Sequence, residues 1–114
     1  WPVAWLIGVS GEDLSQVGRL LGTSMVATEF VAYLDLKAMI ADGSISPRSV
    51  SIVTYALCGF ANIPSMAIQV GGLSAIAPSQ RSVFSSLALR AMLAGAMACW
   101  STAAIAEAMV GVEG

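Results

Sequence analysis

The longest uncharged stretch of the chain constrains its fold more than any other sequence feature. Residues 49 to 80 contain no Asp, Glu, Lys or Arg over 32 positions. A helix of about 20 apolar residues already crosses the roughly 30 Å of hydrocarbon in a bilayer, so this stretch is too long for one continuous span. Pro64 lies near its middle among several glycines, and proline disfavours a straight helix because it lacks a backbone N–H. We therefore predict a broken transmembrane helix over about 47–77, with the break near residues 60–65.

The overall composition indicates the same environment. Hydrophobic residues make up 57% of the chain and charged residues 11%, whereas a typical soluble domain is about a quarter charged. This composition predicts an integral membrane protein. The net charge is only −2 and no basic cluster is present, so nucleic acid is not an expected partner. The chain starts at Trp1 without a signal-peptide pattern, and we interpret it as a fragment of a longer protein.

Patterns for catalysis and metal binding are missing from the sequence. It contains no histidine, and its two cysteines, Cys58 and Cys99, lie far apart in apolar runs. Neither cysteine has a neighbouring base that would activate a thiolate, or the spacing that is typical of a zinc site. We therefore do not expect an enzyme, a metal site or a bound cofactor.

Two further apolar segments flank the broken helix. The preceding segment, about 12–40, carries four charged residues between residues 14 and 40 and is interrupted by small residues near its centre. We predict a re-entrant helical hairpin there, with its tip near residues 23–28, because irregular backbone at membrane depth must face protein or water rather than lipid. The following segment, about 80–110, is rich in Ala, Leu and Met and predicts a straight transmembrane helix.

The predicted fold is therefore an all-α, multi-pass integral membrane protein. Its elements are a re-entrant helical hairpin, a broken transmembrane helix and a straight transmembrane helix, in that order. Short hydrophobic segments interrupted by Gly or Pro are typical of the substrate site of secondary transporters. Because two such segments are adjacent here, we expect a substrate site between them.

Glu29 is the first candidate site residue, since it is the single charge in an otherwise uncharged run from residue 20 to 34. An unpaired carboxylate at the centre of a bilayer costs about 2.5–3.5 kcal/mol on insertion scales, so we expect it to face a cavity or a partner. A carboxylate can accept two hydrogen bonds from neighbouring hydroxyls, as in a sugar diol. The alternative is a solvated residue on a short amphipathic helix.

Three further candidates, Phe60, Asn62 and Ser65, lie at the predicted break. The Asn62 amide and the freed backbone groups could both meet a ligand, but capping a helix is the alternative role for Asn62 and for Ser65. Phe60 could stack on a flat ring, although an aromatic residue in a membrane segment can equally serve in packing.

Three motifs together resemble the C-terminal part of a concentrative nucleoside transporter. They are TEFVAYLDL at 28–36, TYALCGFAN followed by GGL between 54 and 73, and LALRAMLAGAMAC at 87–99. The resemblance extends over about residues 2–106. It implies a trimeric symporter of the inner or plasma membrane that moves nucleosides inward on a sodium or proton gradient by alternating access.

The resemblance also implies a role for each candidate residue. The family's hairpin glutamate falls on Glu29, and its asparagine and serine at the break fall on Asn62 and Ser65, which implies that all three contact ribose hydroxyls. The family's phenylalanine falls on Phe60, which would pack against the nucleobase. The hairpin that reads the nucleobase and the site of the coupling ion have no counterpart in these residues, so the chain would supply the ribose half of the site.

Two departures from the family pattern leave the substrate open. Thr28 stands where the family has asparagine, and Pro64 stands where serine is common. The sequence is compatible with purine or pyrimidine nucleosides and with sodium or proton coupling. The rival interpretations are a gate-type membrane domain for another small polar substrate and a structural subunit that uses the small residues of 82–110 for helix packing.

Overall fold

The computed structural model describes the backbone of residues 1–113 and the side chains of residues 1–111. Six α-helices and a short 3-10 turn make up this part of the chain, which contains no strand. The all-α prediction is thus confirmed. The helices are α1 (Pro2–Leu6), α2 (Leu14–Val26), α3 (Glu29–Ala41), α4 (Pro47–Ala56), α5 (Ile63–Ile76) and α6 (Arg81–Glu113), with the turn at Pro78–Gln80.

Helices α2 and α3 are packed side by side and are joined by only two residues, Ala27 and Thr28. Thr28 has an extended backbone, and its hydroxyl accepts a hydrogen bond from Val31 N at 3.4 Å, so it caps α3. We expected non-helical backbone over 23–28, but α2 continues to Val26. Ser24 lies within this helix, and its hydroxyl donates to the Leu21 carbonyl at 2.8 Å.

A second interruption separates α4 from α5 at residues 57–62. Helix α4 starts with Ser46 as its N-cap and Pro47 in its first turn. Asn62 is the N-cap of α5, and Pro64 follows in the first turn of that helix. Proline is tolerated in a first turn because the N–H it lacks has no partner there. Pro64 therefore lies in the first turn of the second helix rather than breaking the first. The non-helical residues are 57–62, whereas we predicted a break near 60–65.

Helix α6 is 33 residues long and packs against both α4 and α5. Together with the preceding turn it forms the one helix, Pro78–Gly111, that is long and apolar enough to cross a membrane among the residues the structure describes. Helix α5, with 14 residues, is apolar but shorter.

The hydrophobic core lies among α1, α2, α3 and α4 and is closed by the C-terminal half of α6. Its fully buried side chains include Val17, Leu20, Ile52, Val53 and Leu57. Helix α5 contributes no buried residue. The end of α4 is therefore held in the core by buried side chains. The non-helical residues 57–62 follow directly after this well-packed end.

A buried carboxylate joins the starts of α2 and α4. Asp13 is only 6% exposed. Its Oδ2 accepts hydrogen bonds from Ser46 N at 3.2 Å and from Ser46 Oγ at 2.5 Å. Since Asp13 precedes α2 and Ser46 caps α4, this contact holds the base of the helix pair α2–α3 beside the base of α4.

Candidate functional site

The candidate site forms where two helices begin. Glu29 is the first residue of α3, and Asn62 is the N-cap of α5, 33 positions further along the chain. The Asn62 side-chain Nδ2 donates a hydrogen bond to Glu29 Oε2. Asn62 Oδ1 accepts a hydrogen bond from Ser65 N at 2.8 Å. The structure thus brings together three of the four residues that the sequence predicts for the site.

Asn62 is the buried centre of this contact, with 1% of its surface exposed, while Glu29 and Ser65 are half-buried. Its oxygen serves as a helix cap, which is the alternative role that the sequence left open. The nitrogen of an amide carries two hydrogens, and a carboxylate has two oxygens. Only one hydrogen of Asn62 and one oxygen of Glu29 are used in their mutual bond. The second hydrogen and Glu29 Oε1 have no hydrogen-bond partner among the described residues.

The electrostatic setting favours oxygen atoms at this point. The first residues of a helix carry unpaired N–H groups and the positive end of the helix dipole, which stabilises a negative group by about 0.3–1 kcal/mol. Glu29 lies in the first turn of α3, and Asn62 Oδ1 accepts the Ser65 N–H in the first turn of α5. Two helix N-termini are thus directed toward the same small region, which suits a carboxylate and the hydroxyl oxygens of a ligand.

Phe60 lies beside this polar contact and is 72% exposed. Together with Asn62 it lines a cavity of about 390 Å³ between α5 and α6, and neither Glu29 nor Ser65 contributes to the lining. The volume is in the range of ligand pockets, about 300–1,000 Å³. The remaining walls are largely apolar, with side chains such as Met66, Leu73, Phe84, Leu87 and Met92. The cavity therefore has a polar edge at Asn62, whose amide is bonded to Glu29, and an apolar wall that suits a flat ring.

Two cavity residues that carry an amide or a thiol, Gln69 and Cys99, were not among the predicted site residues. Gln69 lines the cavity seven positions after Asn62, a spacing of two helical turns that places both residues on one face. That spacing is a signal that the sequence contains. Cys99 reaches the cavity from α6, and its place there depends on how α6 packs, which the sequence does not reveal. Within residues 1–111, no three metal-binding side chains are grouped together.

The chain is similar in sequence to known nucleoside transporters. Residues 1–107 match the family model described as "Na+ dependent nucleoside transporter C-terminus". The chain is 43% identical to human solute carrier family 28 member 3 over 92% of its own length and 17% of that protein. It is 41% identical to mouse sodium/nucleoside cotransporter 1 over 92% of its length and 18% of that protein.

A solved structure of CNTnw in an inward-facing substrate-bound state has the same arrangement of helices. The TM-score is 0.91 at 37% sequence identity, covering 96% of this chain and 27% of that one. The chain therefore spans less than a third of each of these relatives.

Proposed function

The chain belongs to the sodium-dependent nucleoside transporter family, whose C-terminal model it matches over residues 1–107, and on this premise we propose that the protein transports nucleosides. The relatives named above are transporters and not enzymes. The family consists of membrane proteins, in agreement with the long apolar helix over residues 78–111. We place the protein in the inner or plasma membrane as a multi-pass protein.

We propose that α2 and α3 form a re-entrant hairpin over about 12–40, that α4 and α5 form a broken transmembrane helix over about 47–77, and that α6 crosses the membrane as a straight helix over about 80–110. Helices α2 to α5 have 10 to 14 residues each, or about 15–21 Å at 1.5 Å per residue. Each is shorter than the roughly 30 Å of a hydrocarbon core. Two short helices in series are needed to reach across, and this supports the assignment.

The hydrogen bond between Asn62 and Glu29 is the single observation that carries the proposed binding mode. It brings an amide and a carboxylate together at the N-termini of two helices, beside a cavity with an apolar wall. A ribose ring offers adjacent hydroxyls that can donate to Glu29 and accept from Asn62. We assign Glu29, Asn62 and Ser65 to the ribose and Phe60 to the nucleobase.

The same hydrogen bond suggests how the site opens. Glu29 belongs to the helix pair α2–α3, whereas Asn62 belongs to the start of α5, so separation of the two elements would break this hydrogen bond. We propose that movement of the hairpin gates the site and that a bound nucleoside replaces part of this contact. A cation gradient, of sodium or protons, drives uptake, and the full-length protein is a homotrimer. The coupling-ion site lies outside these residues in this proposal.

Uptake of labelled uridine by liposomes that contain the full-length protein tests the proposal. We expect uptake under an inward sodium gradient or proton gradient and its loss in Glu29→Gln, because the amide cannot accept with both of its polar atoms. Asp35→Asn is the matched control: Asp35 is on the same helix and makes only a surface ion pair with Arg19 at 3.5 Å, and such pairs contribute little.

Three results would decide between the alternatives. Uptake under one gradient only would identify the coupling ion. Uptake that is equal in Glu29→Gln and the unmodified protein would reject the assigned binding mode. Folded protein that takes up no nucleoside under either gradient would reject the proposed function and favour a gate-type domain for another small polar substrate or a structural subunit.

A further inference from the structure

The interruption between α4 and α5 touches α6 through a cysteine and a glycine. Gly59 directly precedes Phe60, and the Sγ of Cys99 occupies the space that a side chain at residue 59 would fill. A Cβ placed on Gly59 would lie far inside the contact distance of that sulfur. The one other atom within 4 Å of this position is Cys99 Cβ, at the ordinary contact distance of 3.6 Å.

Space, and not backbone conformation, explains why residue 59 is a glycine. The glycines with positive φ among residues 1–113 are Gly8 and Gly43, so the backbone at Gly59 is one that alanine can adopt. Replacing glycine by alanine at a compatible position normally stabilises a protein because it restricts the unfolded chain. Here the sulfur of Cys99 is the obstacle. Because χ1 near +60° is rare in a helix, the sulfur has one other common rotamer to move to.

A second close approach lies one turn earlier on α6. A Cβ on Gly95 would meet the Cβ of Ala61 at 3.6 Å. Gly95 and Cys99 are four residues apart and share one face of α6. This face of α6 therefore contacts Gly59 and Ala61, the two residues that flank Phe60. Small side chains allow such close packing, and their size fixes the distance between the two backbones.

We propose that Cys99 is a positioning residue for the nucleoside site. Its sulfur rests on Gly59 and sets the distance of the interruption from α6, which in turn fixes the Phe60 ring and the Asn62 amide beside the cavity that all three residues line. Binding sites require their groups within about 0.5 Å of the productive geometry. A shift of the interruption by one methyl group is therefore large enough to weaken binding. The inference rests on the proposed function, because it concerns the same site.

A double-mutant cycle on the full-length protein tests this role, with the Kd for uridine and the midpoint of thermal unfolding as readouts. We expect Gly59→Ala to weaken uridine binding by about tenfold or more. In a Cys99→Ala background the same substitution should change the Kd by less than about threefold, because the remaining atom, the Cβ of residue 99, lies at 3.6 Å. Gly72→Ala is the control, since Gly72 is exposed on α5 with no atom within 4 Å.

The outcomes separate this inference from the proposed function. If the unmodified protein binds uridine and Gly59→Ala binds it equally well, or is not rescued by Cys99→Ala, the positioning role is wrong and the proposed function stands. If Gly59→Ala fails to fold, the double variant decides: a folded protein with the Kd of Cys99→Ala supports the role, and an unfolded one overturns it. Folded, unmodified protein that binds no nucleoside overturns the proposed function itself.

Discussion

A single amide, that of Asn62, connects the starts of two helices. It caps α5 through Ser65 N, and it donates to Glu29 at the start of α3. With 1% of its surface exposed, it has almost no access to water that could replace either partner. A buried polar group that loses its partner costs about 1–3 kcal/mol. The side chain therefore has a structural role as well as the proposed role in binding.

Asn62→Ala should lower the free energy of unfolding by about 2–3 kcal/mol, because it removes a helix cap and leaves Glu29 without its donor. Thr28→Ala is the matched control, since Thr28 caps α3 through a longer, exposed hydrogen bond of 3.4 Å. It should cost about 0.5–1 kcal/mol. Thermal unfolding in detergent compares the two variants, and equal losses would contradict the bridging role of Asn62.

At the scale of elements, short-range signals in the sequence account for the helix starts. Ser46 followed by Pro47 is typical of a helix N-terminus, and α4 begins at Pro47. Signals for interruptions were less reliable, because Gly22 is tolerated inside α2 and Pro64 fits the first turn of α5. Helix α1 was not predicted at all, since it has only five residues.

Contacts between distant elements could not be derived from local patterns. Glu29 and Asn62 are 33 positions apart, and no periodic pattern in the sequence pairs residues at that distance. Only the resemblance to a transporter family predicted that both belong to one site. The approach of Cys99 to Gly59 likewise depends on the position of α6. Such contacts depend on how side chains from distant segments pack together. Composition and residue spacing do not predict that packing.

The continuous course of α2 through Gly22 can be tested by substitution. Gly22 is exposed and has no other atom within 4 Å of the space that a Cβ would fill. Gly22→Ala should therefore raise the free energy of unfolding by about 0.5–1 kcal/mol, the usual gain in a helix interior. Gly11→Ala, which is outside any helix and equally open, provides the control and should gain less. A loss of stability in Gly22→Ala would place the turn between α2 and α3 earlier than residues 27–28.

On the scale of the whole molecule, one carboxylate joins three elements. Glu107 near the end of α6 forms an ion pair with Arg48 at the start of α4. The same side chain lies against Gly8 just after α1, where a Cβ would come within 2.7 Å of Glu107 Cδ. The first and last helices are thus held together at the end of the molecule away from the interruption, which leaves the site at the opposite end of α4.

Gly8→Ala should destabilise the protein more than Gly43→Ala. Both glycines have positive φ, 89° and 71°, so alanine at either position incurs backbone strain of about 1–2 kcal/mol. Gly43 has no neighbour within 4 Å, whereas alanine at residue 8 also displaces Glu107 from Arg48. Unfolding midpoints of both variants, each with and without Glu107→Ala, measure this difference. We expect the extra loss at residue 8 to vanish when Glu107 is truncated, and an unchanged difference would contradict the contact.

The central claim is that Glu29 binds the ribose of a nucleoside. The most direct test combines a substitution of Glu29 with the removal of single hydroxyl groups from the ligand. The measurement is the Kd of the full-length protein for uridine and for its 2′-deoxy and 3′-deoxy analogues, with and without Glu29→Gln. A hydrogen bond to a charged group contributes about 1.5–3 kcal/mol, so the unmodified protein should lose at least about tenfold in affinity when the contacted hydroxyl is removed. In Glu29→Gln that loss should fall below about threefold, while Asp35→Asn should keep it in full. Equal losses in the unmodified protein and in Glu29→Gln would show that the carboxylate does not contact the sugar and would contradict the account.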